Sequence, residues 1–205
     1  MDGQEYLNQI SASNQPVEQS KLSKILTSKF FLIGAGAVIA LIIVIIIGGM
    51  ISSGKGDAKK DCISLYLHIN NTSELINEYQ DSIKSSELRA SSSSLNTVLQ
   101  DTSKKMAEYL TVKYKFKDKD ANKKTVEKLT LEKDALNEEL FDAKINGILD
   151  RVYAHKMAYE MQLFVAESSQ IKKEAKDEAL QSILDTFDSS LENLYSKFND
   201  FSEGQ

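Results

Sequence analysis

A run of 22 residues without a single charge, residues 30–51, constrains this chain more than any other feature. Most of these residues are Ile, Val, Leu, Ala or Gly, and the wider charge-free interval lies between Lys29 and Lys55. A helix of this length, at about 1.5 Å per residue, is about 33 Å long and crosses a hydrocarbon core of about 30 Å. The run therefore predicts one transmembrane helix.

A cleaved signal peptide is the main alternative to an uncleaved anchor. The apolar region of a signal peptide has about 7–15 residues and follows a short basic start. Here the run is longer, and a polar tail of 29 residues precedes it. No lipoprotein-type sequence precedes Cys62, because residues 59–61 are Lys, Lys and Asp. An uncleaved membrane anchor is the better interpretation.

The basic residues that flank the run do not decide its orientation in the membrane. Three lysines precede it and three follow it: Lys21, Lys24, Lys29, Lys55, Lys59 and Lys60. The positive-inside rule compares such residues, so the count is tied. Because a short tail is easily kept inside, we expect a cytoplasmic N-terminus and an extracytoplasmic C-terminal domain. The reversed topology stays open. Gly36 and Ala40 would let two spans pack closely, as in a homodimer.

The segments next to the run are polar. Residues 1–29 carry balanced charges and too few apolar side chains for a core, so we expect a disordered tail. Residues 52–56, with the sequence Ser-Ser-Gly-Lys-Gly, predict a short flexible linker.

Residues 57–203 predict a helical domain, because they contain one glycine, Gly147, and no proline. The clearest pattern is a heptad seam in the last helix, which we expect to begin near Ser168 or Ser169. Its members are Leu180, Leu184, Phe187, Leu191, Leu194, Phe198 and Phe201.

Three further helices are predicted from weaker seams. The first carries Cys62, Tyr66, Ile69, Ser73, Ile76 and Ile83. The second carries Leu95, Leu99, Thr102, Met106 and Tyr109, after a turn at Ser91–Ser94. The third covers residues 125–166, with a kink at Asn146 and Gly147 and with inward positions Val126, Leu129, Leu136, Leu140, Ile145, Ile148 and Val152. Short loops between four helices predict an antiparallel four-helix bundle. The expected fold class is all-α, with one N-terminal transmembrane helix before the bundle.

A lysine-rich loop is the main candidate for a functional surface. It contains Lys113, Lys115, Lys117, Lys119, Lys123 and Lys124, although the region from residue 55 onward is acidic overall. In an antiparallel bundle the loop between the second and third helices returns to the end at which the first helix begins. We therefore expect this loop to face anionic lipid headgroups. A solvated inter-helix loop is the alternative.

Metal and redox chemistry have weak candidates here. Neither His68 nor His155 lies in the Glu-x-x-His pattern of carboxylate-bridged di-iron bundles. A metal site that joins both histidines to Cys62 is conceivable, but core or boundary histidines are expected. Met157 and Met161 share a stripe with Tyr153 and Phe164 that predicts core packing, with a partner interface as the alternative. Cys62 is a candidate for an interchain disulfide, and a buried thiol is the alternative.

Composition excludes several function classes. One cysteine rules out an intramolecular disulfide and a multi-cysteine metal site. The glycines of a phosphate-binding loop and of a nucleophile elbow are missing. The acidic balance disfavours nucleic acid as a partner. We expect no catalytic residues, no cofactor and no bound metal.

The first 50 residues combine several recognisable features. The first ten residues are Met-Asp-Gly-Gln-Glu-Tyr-Leu-Asn-Gln-Ile, and a Pro-containing tail, a Lys-rich flank and a long Ile/Val run follow. This region, about the first 50 residues, resembles uncharacterised single-pass envelope proteins of reduced-genome, candidate-phylum bacteria. The resemblance implies a cell envelope, without an activity or site residues.

The function expected from the sequence is non-enzymatic. A single-pass membrane protein would present its helical bundle for protein contact or envelope organisation, with the lipid bilayer and an unidentified protein as partners. An extracytoplasmic sensor that binds a ligand and works with a separate signalling partner is one alternative. A cytoplasmic coiled-coil scaffold of reversed topology is the other.

Overall fold

The computed structural model describes residues 57–203, which form helices and their connections without a β-strand. The helices are α1 (Ala58–Tyr79), α2 (Ser86–Tyr114), α3 (Lys123–Ile145), α4 (Leu149–Glu174) and α5 (Glu178–Glu203). Single turns of 3-10 helix follow α1 at Gln80–Ser82 and precede α3 at Asp118–Asp120. The all-α prediction is confirmed for this part of the chain.

The predicted tail, transmembrane helix and linker lie outside the described residues, and so do Gly36 and Ala40. Between residues 57 and 203, no helix combines the length and the apolar character that a bilayer crossing requires.

Four helices form a ring in which α1 packs on α2, α2 on α5, α5 on α4, and α4 on α1. Neighbours in this ring are antiparallel. Lys113, at the end of α2, contacts Asp177, just before α5. Asp150, at the start of α4, accepts hydrogen bonds from the backbone just beyond α1, while Glu167, late in α4, reaches His68 in the middle of α1. The ring is an antiparallel four-helix bundle.

The remaining helix, α3, lies outside the ring against α1 and α4. It runs parallel to α1, since Asn71 bonds to the carbonyl of Leu129 and Tyr79 to the carbonyl of Asn137, a constant separation of 58 residues. Because α2 and α4 point the same way, the chain must travel back along the bundle between them. Thus α3 is the long crossover connection of the bundle.

The prediction of one continuous third helix over residues 125–166 is wrong. Gly147 has a φ of 73°, a left-handed conformation that glycine adopts at little cost. Its amide bonds to the carbonyl of Lys144 and the amide of Ile148 to that of Ala143, at 3.2 and 3.0 Å. This pair of bonds is a Schellman ending, so Gly147 terminates a helix instead of bending one. The described residues therefore contain five helices, of which four form the bundle.

Two helix starts predicted from serines are also wrong. Ser91–Ser94 lie within α2, which begins earlier and is capped by Ser85, whose hydroxyl accepts from the Leu88 amide at 3.3 Å. Ser168 is buried inside α4. Instead, Asp177 caps α5, with Oδ1 3.1 and 3.2 Å from two backbone amides. An aspartate and a serine compete equally well for this role, so composition alone did not separate them.

The predicted seams account for about half of the buried apolar residues. In α5, Leu180, Leu184, Phe187, Leu191, Leu194 and Phe198 are buried, and Phe201 is half-buried. In α2, Leu95, Leu99, Thr102 and Met106 are buried. In α1, Cys62, Ile69, Ser73 and Ile76 are buried, as is Ile83 just after it. Leu129, Leu136 and Leu140 of α3 are buried. Val126 and Ile145 of α3, and Ile148 just after it, are exposed, so these three were wrongly assigned to the core.

Candidate functional site

The lysine-rich loop, residues 113–124, lies beside the first half of α1 and is called the basic loop below. The Tyr66 hydroxyl donates to Asp118 Oδ1 at 3.3 Å, and the Tyr66 and Phe116 rings meet edge to face, with centroids 6.2 Å apart. The ammonium of Lys59 lies 5.7 Å from the centre of the Tyr114 ring. The loop therefore lies at the end of the bundle where α1 begins, as the antiparallel topology predicted. Its contact with lipid stays a prediction.

The sequence fixes the shape of this loop at both ends. After Tyr114, Lys115 turns into the left-handed region, with φ 53°, and the amide of Phe116 bonds to the carbonyl of Leu110. Phe116 is buried and pins the turn to the core. At the other end, Asn122 caps α3 by accepting from the Lys124 amide at 2.9 Å. With the loop fixed at Phe116 and Asn122, the residues 117–120 between them are exposed.

All six lysines of the basic loop are exposed. Lys113 bonds to Asp177 at 2.8 Å, a hydrogen bond that raises the pKa of Lys113, and Lys123 lies 3.6 Å from Glu127. The other four, Lys115, Lys117, Lys119 and Lys124, make no salt bridge with any residue the structure describes. The loop thus presents uncompensated positive charge on an acidic domain, which suits an anionic ligand or surface.

A cavity of about 530 Å³ opens between the basic loop and the first half of α1. Its lining includes the apolar residues Tyr66, Phe116 and Val112 and the charged residues Lys115, Lys117 and Asp118. Val112 is 75% exposed, although it is apolar. The cavity therefore offers an apolar wall next to positive charge, the mixture typical of small-molecule sites.

Cys62 lies deeper at the same end and has no exposed surface. Burial, together with the negative charge of Asp61, raises the pKa of the Cys62 thiol to about 12. A thiol in this position reaches a second chain only if α1 opens, and it is a poor nucleophile. The position fits the buried thiol better than the interchain disulfide that the sequence allowed.

The carboxyl groups of Asp61 and Glu174 lie close to each other and near Cys62. Burial and the neighbouring carboxylate of Glu174 raise the pKa of Asp61 to about 6. One Glu174 oxygen, Oε2, is buried without a hydrogen-bond partner among the described residues, which a proton on Asp61 can supply. The pair joins the start of α1 to the end of α4.

His68 forms a charge cluster with two glutamates of α4, which the sequence reasoning missed. Its Nε2 lies 2.8 Å from Glu160 Oε2 and its Nδ1 lies 3.2 Å from Glu167 Oε2, while the Phe164 ring packs at 4.6 Å between centroids. Burial alone would lower the pKa of His68, but the charge of Glu167 and bonds to both glutamates raise it to about 10. The imidazole is therefore a cation that ties α1 to α4.

A signal for this cluster was present in the sequence. Glu160 and Glu167 are seven residues apart, which is one heptad, and they share a helix face with the core residue Phe164. Two acidic residues on a buried face require a cation from a neighbouring helix. The search for Glu-x-x-His spacing within one helix could not detect a partner on another helix.

Sequence analysis left a metal site that joins His68, His155 and Cys62 conceivable, and the described residues do not form it. His155 is exposed on α4, and within residues 57–203 no group of three or more His, Cys, Asp or Glu side chains is arranged to hold a metal ion. Met157 and Met161 are buried, in agreement with the packing interpretation of their stripe.

Apolar side chains are exposed where α3 ends, at the opposite end of the bundle from the basic loop. Phe141, Ile145 and Ile148 are 54%, 67% and 44% exposed, and we call them the far-end patch. Phe141 and Ile145 are one helical turn apart, and Ile148 follows in the connection to α4. Clustered exposed apolar residues are a common mark of protein contact surfaces.

No protein-family model matches this chain, and no curated protein or solved structure is significantly similar to it. Its function is therefore inferred from its own residues.

Proposed function

We propose that this chain is a single-pass membrane protein without catalytic activity, which holds a helical bundle at a cell membrane for protein contact or envelope organisation. Residues 30–51 are the anchor, the N-terminus is cytoplasmic, and the bundle is extracytoplasmic. The observation that carries the proposal is the basic loop beside the start of α1, because it puts exposed lysines at the end of the bundle that follows the anchor in sequence.

Chain length links the two features. Only residues 52–56 separate the apolar run from Asp57, and six steps of at most about 3.6 Å span about 22 Å. Lysines near an anionic surface contribute about 1 kcal/mol each, and their attraction fades beyond about 8–10 Å at ordinary salt. In the proposed arrangement, a basic loop at this end of the bundle can therefore come within reach of headgroups.

The far-end patch supports the protein-contact part of the proposal. The patch and the basic loop lie at opposite ends of α3, which has 23 residues and is about 35 Å long. A patch at that distance from the anchored end faces away from the lipid in the proposed arrangement. Phe141 and Ile145 are then available to an unidentified protein partner in the same compartment.

Protease accessibility in intact cells tests the topology. The full chain, tagged at its N-terminus, is expressed, and the cells are treated with a protease that cleaves after lysine. We expect the bundle to be degraded while the tag survives, and sodium carbonate to leave the tagged fragment in the membrane fraction. Protection of the bundle until the cells are permeabilised would establish the reversed, cytoplasmic topology. Release by carbonate would disprove the anchor.

Site-specific crosslinking tests the protein contact. A photoreactive amino acid at Phe141 should trap a discrete partner, and the same amino acid at the exposed Lys105 of α2 is the matched control. Equal crosslinking from both positions, or none from Phe141, would contradict a partner surface at the far-end patch.

A further inference from the structure

The cavity beside the basic loop has a lining of mixed chemistry. Tyr66, Phe116 and Val112 contribute apolar surface to it. The same lining includes two exposed lysines, Lys115 and Lys117. Its volume, about 530 Å³, lies within the range of about 300–1,000 Å³ typical of small-ligand sites.

The backbone at Lys115 adds a second observation. A φ of 53° is the left-handed conformation, and Lys115 is the one non-glycine residue with a positive φ among residues 57–203. Glycine or asparagine is usual at such a helix ending, because a side chain there costs about 1 kcal/mol or more. A lysine at this position costs stability, and the same residue lines the cavity. Strain of this kind concentrates at binding sites.

The lining also contains one acidic group, Asp118. Its carboxylate accepts the hydrogen bond from the Tyr66 hydroxyl at 3.3 Å, so part of its hydrogen-bonding capacity is used within the protein. Lys115 and Lys117 make no salt bridge with it or with any other described residue. The lining therefore keeps a net positive charge, and the two ammonium groups are available to an anion.

We propose that this cavity binds one anionic amphiphile, with its phosphate or carboxylate head between Lys115 and Lys117 and its acyl part against Tyr66, Phe116 and Val112. The inference deepens the proposed function, on which it rests, because it replaces a diffuse attraction to anionic headgroups with a defined site for a single lipid. Phosphatidylglycerol is the probe that we select, since it joins a phosphate to acyl chains.

The test uses the full chain in phosphatidylcholine nanodiscs that contain a small fraction of photoactivatable phosphatidylglycerol. Crosslinking should be concentrated in the peptides that carry Tyr66 and residues 107–118. The variant Lys115→Gln/Lys117→Gln should lower it by about tenfold or more, since each lysine contributes about fivefold. The matched control Lys119→Gln/Lys124→Gln removes the same charge from the same loop, and it should lower crosslinking by no more than about twofold. Equal losses from both variants would overturn the site.

A second pair of variants tests the apolar wall. Val112→Asp changes a side chain that is 75% exposed, and Leu131→Asp changes one on α3 that is 69% exposed, so neither disturbs the core. Val112→Asp should abolish the crosslink, whereas Leu131→Asp should leave it unchanged. Millimolar inorganic phosphate should not displace the lipid. Loss of the crosslink with phosphate, or its survival in Val112→Asp, would mean that the cavity holds no acyl chain and would overturn the proposal.

Failure of the anchor and failure of the site give different results. If the full chain does not insert into nanodiscs, the proposed function fails. The site is then tested separately, by calorimetry of dodecyl phosphate binding in water to the two double-lysine variants and to Val112→Asp and Leu131→Asp. Binding that falls only with Lys115→Gln/Lys117→Gln and Val112→Asp keeps the site. Equal binding by all variants overturns it.

Discussion

The inner faces of α5 and α1 are both buried, but they are built from different chemistry. From Leu180 to Leu191, every inward residue of α5 is apolar and at most 1% exposed. The inner face of α1 includes Ser73, Asn70 and His68, each bonded to a polar side chain of another helix. Apolar packing is strong but tolerant of register, whereas paired polar groups are satisfied in one arrangement only. We therefore expect α5 to contribute mainly to stability and α1 to determine which helices pack together and in which register.

The largest expected effect is the loss of an aromatic side chain from α5. Phe187 is 1% exposed and packs on Phe164, with ring centroids 5.7 Å apart. Phe187→Ala leaves a cavity, so we expect the free energy of unfolding in urea to fall by about 3–5 kcal/mol. Leu131→Ala, at a site that is 69% exposed, should change it by less than about 0.5 kcal/mol. A similar small loss for both variants would mean that α5 is not the main apolar support.

The second prediction concerns the charge cluster on α1. His68→Leu leaves Glu160 and Glu167 without their cation, and we expect a loss of about 3 kcal/mol. The triple variant His68→Leu/Glu160→Leu/Glu167→Gln removes the charges together and should recover most of that stability. If the triple variant is as unstable as the single one, the cluster stabilises the bundle by packing and not by charge pairing.

The charge of His68 also has a pH signature. Its pKa is about 10 in the folded protein and about 6.5 in an unfolded chain, so the protonated imidazole stabilises the fold. This contribution is fully present below pH 6.5 and is lost as the pH rises through 10. The difference in unfolding free energy between the protein and His68→Gln should therefore shrink from pH 7 to pH 10. A constant difference would show that His68 is neutral when buried.

The inner faces of α5 and α1 show which parts of the core could be predicted from the sequence. The buried face of α5 could be predicted, because apolar residues at alternating steps of four and three identify it without knowledge of the neighbouring helices. The inner face of α1 could not be predicted in the same way, since a serine or histidine is buried only if another helix supplies its hydrogen-bond partner. The same holds for α3, whose apolar residues Val126 and Ile145 follow a helical period but face solvent because the helix flanks the ring.

The site was predictable to a similar extent. The six lysines of the basic loop are evident from the distribution of charge in the sequence. In an antiparallel bundle the second helix returns to the end where the first begins, and this rule placed the loop beside the start of α1. The cavity was not predictable, because it depends on the contact of Tyr66 with Phe116 across 50 residues of chain. The left-handed turn at Lys115 also lacked a signal, since neither glycine nor asparagine marks it.

The next prediction concerns Asp61, a polar residue of α1 whose charge opposes folding. The pKa of Asp61 is about 6 in the folded protein, above its ordinary value of 3.8, so ionisation opposes folding and stability falls as the pH rises from 3.8 through 6. Asp61→Asn should raise the unfolding free energy at pH 7 by about 1 kcal/mol, a value reduced for the partial exposure of the group. The gain should disappear below pH 3.8, where both states of the parent are protonated. A gain that is independent of pH would point to helix packing instead.

The smallest expected effect separates stability from binding at the basic loop. Lys115→Gly relieves the left-handed conformation at φ 53°, and we expect the unfolding free energy to rise by up to about 1 kcal/mol. The same change removes an ammonium from the lining of the cavity, so crosslinking to phosphatidylglycerol should fall about fivefold although the protein is more stable. Lys119→Gly, outside the cavity and at a negative φ, should lower stability slightly and leave the crosslink nearly unchanged. A gain in stability without a loss of lipid would mean that the strain at Lys115 serves no ligand, and that the apolar core, not the site, determines this turn.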